Sequence, residues 1–213
     1  MNKQNQIRNI HSTVHFNTGL TMIEVLVTLA IMSIGLLSMA AMQITGVRSI
    51  NSSSIRTQAT LIANDIAERM RANPAAMNNN DFMDISSDTI DCNTAPVPYC
   101  GEYNNGSGTI TDASSCNADQ MAAYDVNVWY CGVTSGNSRA GGVMDYLPAT
   151  DDGTPTARIT CQDTDPPSGS DADPCTNRSP HVITISWTEV NPSHDKNQPA
   201  TITQSISMTV QPD

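Results

Sequence analysis

Gly19-Leu20-Thr21-Met22-Ile23-Glu24-Val25-Leu26-Val27-Thr28-Leu29-Ala30-Ile31 places one ionisable side chain, Glu24, at the head of the most apolar part of the chain. The uncharged run continues to Val47, which is long enough to cross a bilayer, since ~20 apolar residues suffice. Ser38, Gln43, Thr45 and Gly46 interrupt its later part, so Val25–Met42 is the secure apolar portion. A carboxylate beside such a span is costly and reads as functional, with a partner to be found. A secretory signal ending at the small residues Ala40-Ala41 is one alternative. An ordinary single-pass anchor is another, with Glu24 only reaching the lipid headgroups. Flanking charge does not orient the span, because Lys3 and Arg8 precede it while Arg48 and Arg56 follow it.

Upstream, residues 1–19 form a polar leader with two basic residues and end in Gly19. A basic leader, a glycine, four residues and then Glu in an apolar helix resembles a type IV prepilin. The resemblance implies a cut by prepilin peptidase between Gly19 and Leu20, with Leu20 N-methylated as the new first residue. It also supplies the missing partner. Glu24, as the fifth mature residue, would neutralise the α-amino group of a neighbouring subunit and act as a registry device for assembly. Leu20 stands where pilins usually have Phe. Major pilins carry a helix-breaking Pro at the place of Ala41, and its absence here disfavours a bulk subunit.

Downstream, no proline intervenes until Pro74, so a helix is expected over Leu20–Asn73, roughly 80 Å at 1.5 Å per residue. Val47, Ile50, Ile55, Ala59, Ile62, Ile66 and Met70 recur at mostly three- and four-residue steps and predict an apolar stripe along its second half. The stretch Ala59-Thr60-Leu61-Ile62-Ala63-Asn64-Asp65-Ile66-Ala67-Glu68-Arg69-Met70-Arg71-Ala72-Asn73-Pro74 could be a generic amphipathic helix end with Glu68–Arg71 pairing. Its run into Asn-Pro is similar to the minor pilin family called type IV pilus modification protein PilV. That resemblance is close over residues 19–74 and loose toward the C-terminus.

Composition sets further bounds. The 213 residues leave room for one domain plus a long anchor. The formal charge is −11; loss of residues 1–19 removes Lys3 and Arg8 and makes it −13. Beyond Pro74 there are 18 acids against 4 bases, Arg139, Arg158, Arg178 and Lys196. Such a surface repels phosphate backbones, so nucleic-acid binding is disfavoured. Cys92, Cys100, Cys116, Cys131, Cys161 and Cys175 all follow the span, and their even number in a polar region reads as a disulfide set in an oxidising compartment. None has the Cys-x-x-Cys spacing of a zinc or redox site. Fifteen connectivities are open; the pairs 92–100, 116–131 and 161–175 close the shortest loops and are the expectation.

After Pro74 the chain reads as a polar segment to about residue 115, with Asn78–Asp81 and Asn104–Gly108 as loops. A short helix is expected from Cys116 to about Trp129, with Met121, Ala122, Tyr124, Val128 and Trp129 apolar; Leu147-Pro148 follows. Asp151-Asp152-Gly153 signals a turn and Thr156–Cys161 a strand. His181–Thr188 alternates with Ile183, Ile185 and Trp187 on one face, and Ile202–Val210 with Ile206, Met208 and Val210, joined by a polar loop over Asn191–Pro199. Such a sheet needs a cover, and the helical stripe is available. The expected fold class is α+β and pilin-like: a long N-terminal helix, membrane-spanning in its first half, packed on a C-terminal antiparallel sheet. The expected domains are a leader (1–19), a transmembrane and assembly helix (20–46), its amphipathic continuation (47–74) and a disulfide-containing head (75–213).

No enzyme motif is present, neither His-Glu-x-x-His, Gly-x-Ser-x-Gly nor a P-loop, so no catalytic residue and no cofactor is expected. His11 and His15 fall in the leader; His181 reads as a strand-edge residue and His194 as a loop residue. Asp81/Asp84/Asp88/Asp91 and Asp163/Asp165/Asp171/Asp173 lack EF-hand spacing and read as solvated loops rather than metal sites. The resemblance implies a minor pilin made in the bacterial inner membrane with a periplasmic head, then carried in an extracellular type IV pilus. Its expected partners are the major pilin, other minor pilins, prepilin peptidase and inner-membrane lipid. A minor pseudopilin of a type II secretion system, and an adhesin or DNA-uptake pilin acting as a binding module, are the alternative readings.

Overall fold

The computed structural model describes residues 19, 21–104, 110–135, 138–150, 153–163, 175–176, 178–191 and 199–212. Helix α1 spans Met22–Ala72 without interruption, and the short helix α2 spans Pro74–Asn78. Strand β1 (Ile85–Ser86) runs into a single 3-10 turn, and β2 (Tyr103–Asn104) and β3 (Ile110–Thr111) follow. Then come α3 (Ala118–Cys131), β4 (Val133–Ser135), β5 (Ser138–Ala140), α4 (Val143–Tyr146), β6 (Thr156–Cys161), β7 (His181–Val190) and β8 (Thr201–Val210). The chain divides into two compact units, Met1–Arg48 and Ser49–Asp213.

In the first unit the described part of α1 is exposed on every side. It has the length and hydropathy to cross a membrane, and a helix apolar all round suits lipid or a packed bundle. Its hydroxyl side chains do not break it. Those of Thr28, Ser33, Ser38 and Thr45 donate to the carbonyls of Val25, Leu29, Ile34 and Ala41 at 2.9, 2.7, 3.0 and 3.1 Å. Polar groups satisfied within their own helix are tolerable where no water is at hand.

The second unit is built around an antiparallel sheet in the order β1-β6-β7-β8. Strands β7 and β8 pair along all ten residues, from His181 opposite Val210 to Val190 opposite Thr201. Ile183, Ile185 and Trp187 alternate inward as expected, and they share one core with Ala157 and Ile159 of β6 and with Ala59, Ala63, Ile66, Ala67 and Met70 of α1. Helix α3 adds Ala122, Val126 and Trp129 to it. The small side chains at positions 59, 63 and 67 recur every fourth residue on one helix face, which permits close approach. The Trp129 indole N–H donates to the Ile62 carbonyl at 3.0 Å.

The stripe along α1 is shorter than the sequence suggests. Val47 and Ile50 are 66% and 71% exposed, while Ile55 and Ile62 are half-buried. The far end of the sheet reaches α1 at Ser52, which bonds Glu189, so cover starts only beyond it. Pro74 ends α1 as expected and then opens α2 as its first residue, while the Asn73 side chain caps α2 through the Ala76 N–H at 3.3 Å. Helix α3 ends two residues beyond its expected bound and starts two residues later, where Asn117 and Gln120 form a reciprocal capping box.

Two further features depart from the sequence reading, the second small sheet and the burial of Met77 and Phe82. A second small sheet, β3-β2-β4-β5, includes Asn104, which reads as loop, and pairs β2 with β4 in parallel. Residues 105–108, 151–152 and 192–198, parts of expected loops and turns, lie outside the described residues. Met77 and Phe82 are buried although their segment reads as polar. Gly132 and Gly142 both have positive φ, 85° and 79°, and a Cβ on Gly132 would collide with the Ala140 carbonyl. Only glycine allows the chain to fold back on itself between α3 and α4.

Candidate assembly site at the start of the long helix

Glu24 occupies the first turn of α1 and is exposed. A carboxylate there favours the helix, because the amide groups of the first turn carry partial positive charge. Thr21 stands just before the helix. Its hydroxyl accepts the Glu24 N–H at 3.4 Å, and its carbonyl accepts the Glu24 and Val25 N–H groups at 3.0 and 3.3 Å. Thr21 is therefore the N-cap, and Thr21-Met22-Ile23-Glu24 has the spacing of a capping box. That spacing is legible in the sequence beside Glu24. Gly19 is exposed and outside the helix; a Cβ there would meet nothing within 4 Å, and its φ is not in the left-handed region. Nothing in the described fold requires glycine at that position. Leu20 and residues 1–18, including His11 and His15, lie outside the described residues.

The six cysteines form three disulfides, Cys92–Cys131, Cys100–Cys116 and Cys161–Cys175. Only the last follows the shortest-loop expectation; pairs 92–100 and 116–131 are corrected. Cys116 precedes α3 and Cys131 ends it, so the helix holds them roughly 20 Å apart. A disulfide needs Cα atoms within about 7 Å. A rigid element between two cysteines thus forbids the pairing that a flexible loop would favour.

Asp88, Asp91 and Asp163 of the acidic clusters make local contacts, while Asp81 Oδ2 is buried without a hydrogen-bond partner. Asp91 accepts the Asn93 N–H and the Thr94 hydroxyl at 2.8 and 2.7 Å, and these bonds hold its carboxyl below the usual range. Asp88 accepts the Ser86 hydroxyl at 3.2 Å. Asp163 accepts the Thr176 hydroxyl at 2.9 Å, and Asp165, Asp171 and Asp173 lie outside the described residues. Among the described residues no three His, Cys, Asp or Glu side chains gather as a metal site.

Asp125, Tyr124 and His181 are buried polar side chains of the head. Asp125 of α3 accepts from Arg69 of α1 at 2.8 Å, and Arg69 also reaches Asp65 at 3.0 Å. Burial raises the Asp125 pKa, with Arg69 opposing; burial alone would lower Arg69, but its two acidic partners raise it. Burial and the neighbouring Tyr99 push the Tyr124 hydroxyl up to about 12. His181 is not a strand-edge group: it opens the inner strand β7 and is 1% exposed, on the same face as Ile183. Burial pulls its pKa below 6.5, the Ser179 backbone opposing only in part, and neither ring nitrogen reaches a partner at hydrogen-bond geometry. The period of two that fixes Ile183 inward reaches back to position 181 and could have shown this. His194 lies outside the described residues.

No curated protein and no solved structure matches the chain. A family model described as Tt1218-like, type IV pilin Tt1218, matches residues 41–127. The matched segment starts after Glu24, carries α1 through Asn73-Pro74 into α3, and stops before β6, β7 and β8. Pilins are structural rather than enzymatic proteins, and a pilin with an N-terminal apolar helix fits membrane anchoring and association with other pilins. Over residues 41–127 the chain is therefore similar to a type IV pilin family, and its long apolar N-terminal helix followed by an antiparallel sheet gives it a pilin-like α+β fold.

Proposed function

We propose that the chain is a minor pilin of the PilV type, cut between Gly19 and Leu20, N-methylated on Leu20, and incorporated into a type IV pilus or the complex that initiates one. In this reading residues 1–19 are the leader, 20–46 the transmembrane and assembly helix, 47–74 its amphipathic continuation and 75–213 the head. The observation that carries it is the exposed Glu24 at the start of a helix whose apolar residues from Val25 to Val47 are all exposed. A carboxylate surrounded by such a surface becomes strongly unfavourable once the surface is packed, unless an amine meets it. The amine released at Leu20 of a neighbouring subunit has the matching charge. Glycine at position 19, which the described fold does not require, fits recognition by a peptidase.

The precursor then sits in the inner membrane with its disulfide-bonded head in the periplasm, and moves to the extracellular fibre among the major and other minor pilins. Surface adhesion by the head is compatible with this role. N-terminal mass spectrometry of membrane and sheared-pilus material tests the reading. The expected first residue is Leu20, N-methylated; a mature start after Ala40 or Ala41 would overturn it.

A further inference from the structure

We propose that strand β8 is a docking edge for an extended, uncharged segment of another protein chain, which joins the sheet as a further strand. Among the described residues β8 pairs only with β7, so its other side is an edge of the sheet. In an antiparallel ladder alternate residues turn both N–H and C=O toward one neighbour, and the residues between turn theirs away. Along residues 202–209 those outward groups form a row of donors and acceptors that another extended backbone matches at the same spacing. The opposite edge of the sheet, β1, has only two residues, Ile85 and Ser86, and offers little to pair with.

Edges of this length are normally protected by a charge, a proline or a bulge, and β8 has none of them. The chain beyond Pro74 is strongly acidic, yet Thr201-Ile202-Thr203-Gln204-Ser205-Ile206-Ser207-Met208-Thr209-Val210 contains no charged residue and no proline. Its residues pair one to one with those of β7, so no bulge twists the edge away. Ile206 and Met208 are only half-buried against the core on the inner face, while Ser205 and Ser207 are exposed on the outer face. An added strand that alternates apolar and hydroxyl side chains covers the first pair and meets the second, and such cross-strand matches stabilise sheets. Helix α1 packs on the same sheet through Ala59, Ala63 and Ala67 and so lies along it there. Antiparallel pairing of β8 with its own copy needs a two-fold axis normal to the sheet, which would reverse α1 in the second copy. Two copies anchored side by side in one membrane do not meet in that way, so the occupant is a different chain. This last choice rests on the anchoring in the proposed function; the pairing itself rests on the head alone.

The test is hydrogen exchange with mass spectrometry on the full chain in detergent, read on fragments that cover β8. The probe is a synthetic peptide repeating Val182-Ile183-Thr184-Ile185-Ser186-Trp187-Thr188, an uncharged strand whose cross-strand matches with β8 the fold already contains. With peptide at about ten times its Kd, the outward amides of β8 should exchange roughly tenfold more slowly, because only about a tenth of the chain stays free. The same peptide N-methylated at every residue keeps its side chains, lacks the donors and should protect nothing. No protection by the unmodified peptide up to its solubility limit, or equal protection by both peptides, would overturn the proposal; equal protection means that side chains alone bind. A chain that is dimeric by light scattering, with β8 protected before any peptide is added, would overturn the choice of a different chain and assign the edge to a second copy.

Discussion

The Ser52 hydroxyl of α1 donates to Glu189 of β7 at 2.7 Å, across 137 residues of sequence. The other carboxylate oxygen of Glu189 accepts the Trp187 indole N–H at 2.8 Å and lies 3.9 Å from Arg56, which itself donates to Gln204 of β8 at 2.7 Å. One carboxylate, 10% exposed in its side chain, therefore joins the helix to the far end of the sheet.

Glu189→Ala should lower the stability of the head by about 1–3 kcal/mol, because Ser52 and the buried Trp187 indole lose their acceptor. Glu189→Gln, which keeps one carbonyl oxygen, should cost less. Thermal unfolding of the full chain in detergent, followed by Trp fluorescence, checks both; an unchanged midpoint for the Ala variant would mean that the carboxylate is not a tie.

Arg69 separates a strong partner from a weak one. Asp125→Ala should destabilise by about 1.5–3 kcal/mol, since the charged hydrogen bond of a buried carboxylate is lost. Asp65→Ala, at an exposed i,i+4 position, should cost about 0.5 kcal/mol or less. Paired denaturant titrations give the ranking, and equal costs would contradict it.

The disulfides should map as Cys92–Cys131, Cys100–Cys116 and Cys161–Cys175 in non-reducing peptide mass spectra of exported protein. Cys92–Cys131 closes a loop of 39 residues and Cys161–Cys175 one of 14. On loop entropy alone, removing the first with paired Ser substitutions should cost about 1 kcal/mol more than removing the second.

Buried His181 makes the head acid-sensitive. Its folded-state pKa is depressed, so its contribution to stability is fully present above the unfolded value of 6.5 and is lost as pH falls from there toward the folded value. Melting midpoints between pH 7.5 and 5 should fall in the wild type. His181→Leu should flatten that slope over the same window, and a wild-type slope retained in the variant would assign the sensitivity elsewhere.

Glu24→Ala and Glu24→Val should leave membrane insertion and cleavage intact while sharply lowering the amount of subunit in sheared pili relative to the membrane pool. Glu24→Gln keeps the shape without the charge and should fail nearly as badly. Wild-type incorporation of all three variants would remove Glu24 from assembly.

By itself, the sequence determined what depends on neighbours a few residues apart. Pro74 ends α1 because its ring excludes the preceding helical turn, and β7 and β8 announce themselves because ten-residue strands with one buried face must alternate. The Gly19–Glu24 spacing is likewise local, as is the Thr21 cap beside it. Tertiary structure alone decided the rest. Strands of two or three residues, such as β2 and β4, are too short to carry a period and exist only through their partners. The Cys92–Cys131 bond depends on how a rigid α3 orients its ends, and burial of Phe82 and the Ser52–Glu189 tie depend on which distant surfaces meet. Contacts between residues far apart in sequence are selected by packing of the whole core, and no window of a few residues contains that information.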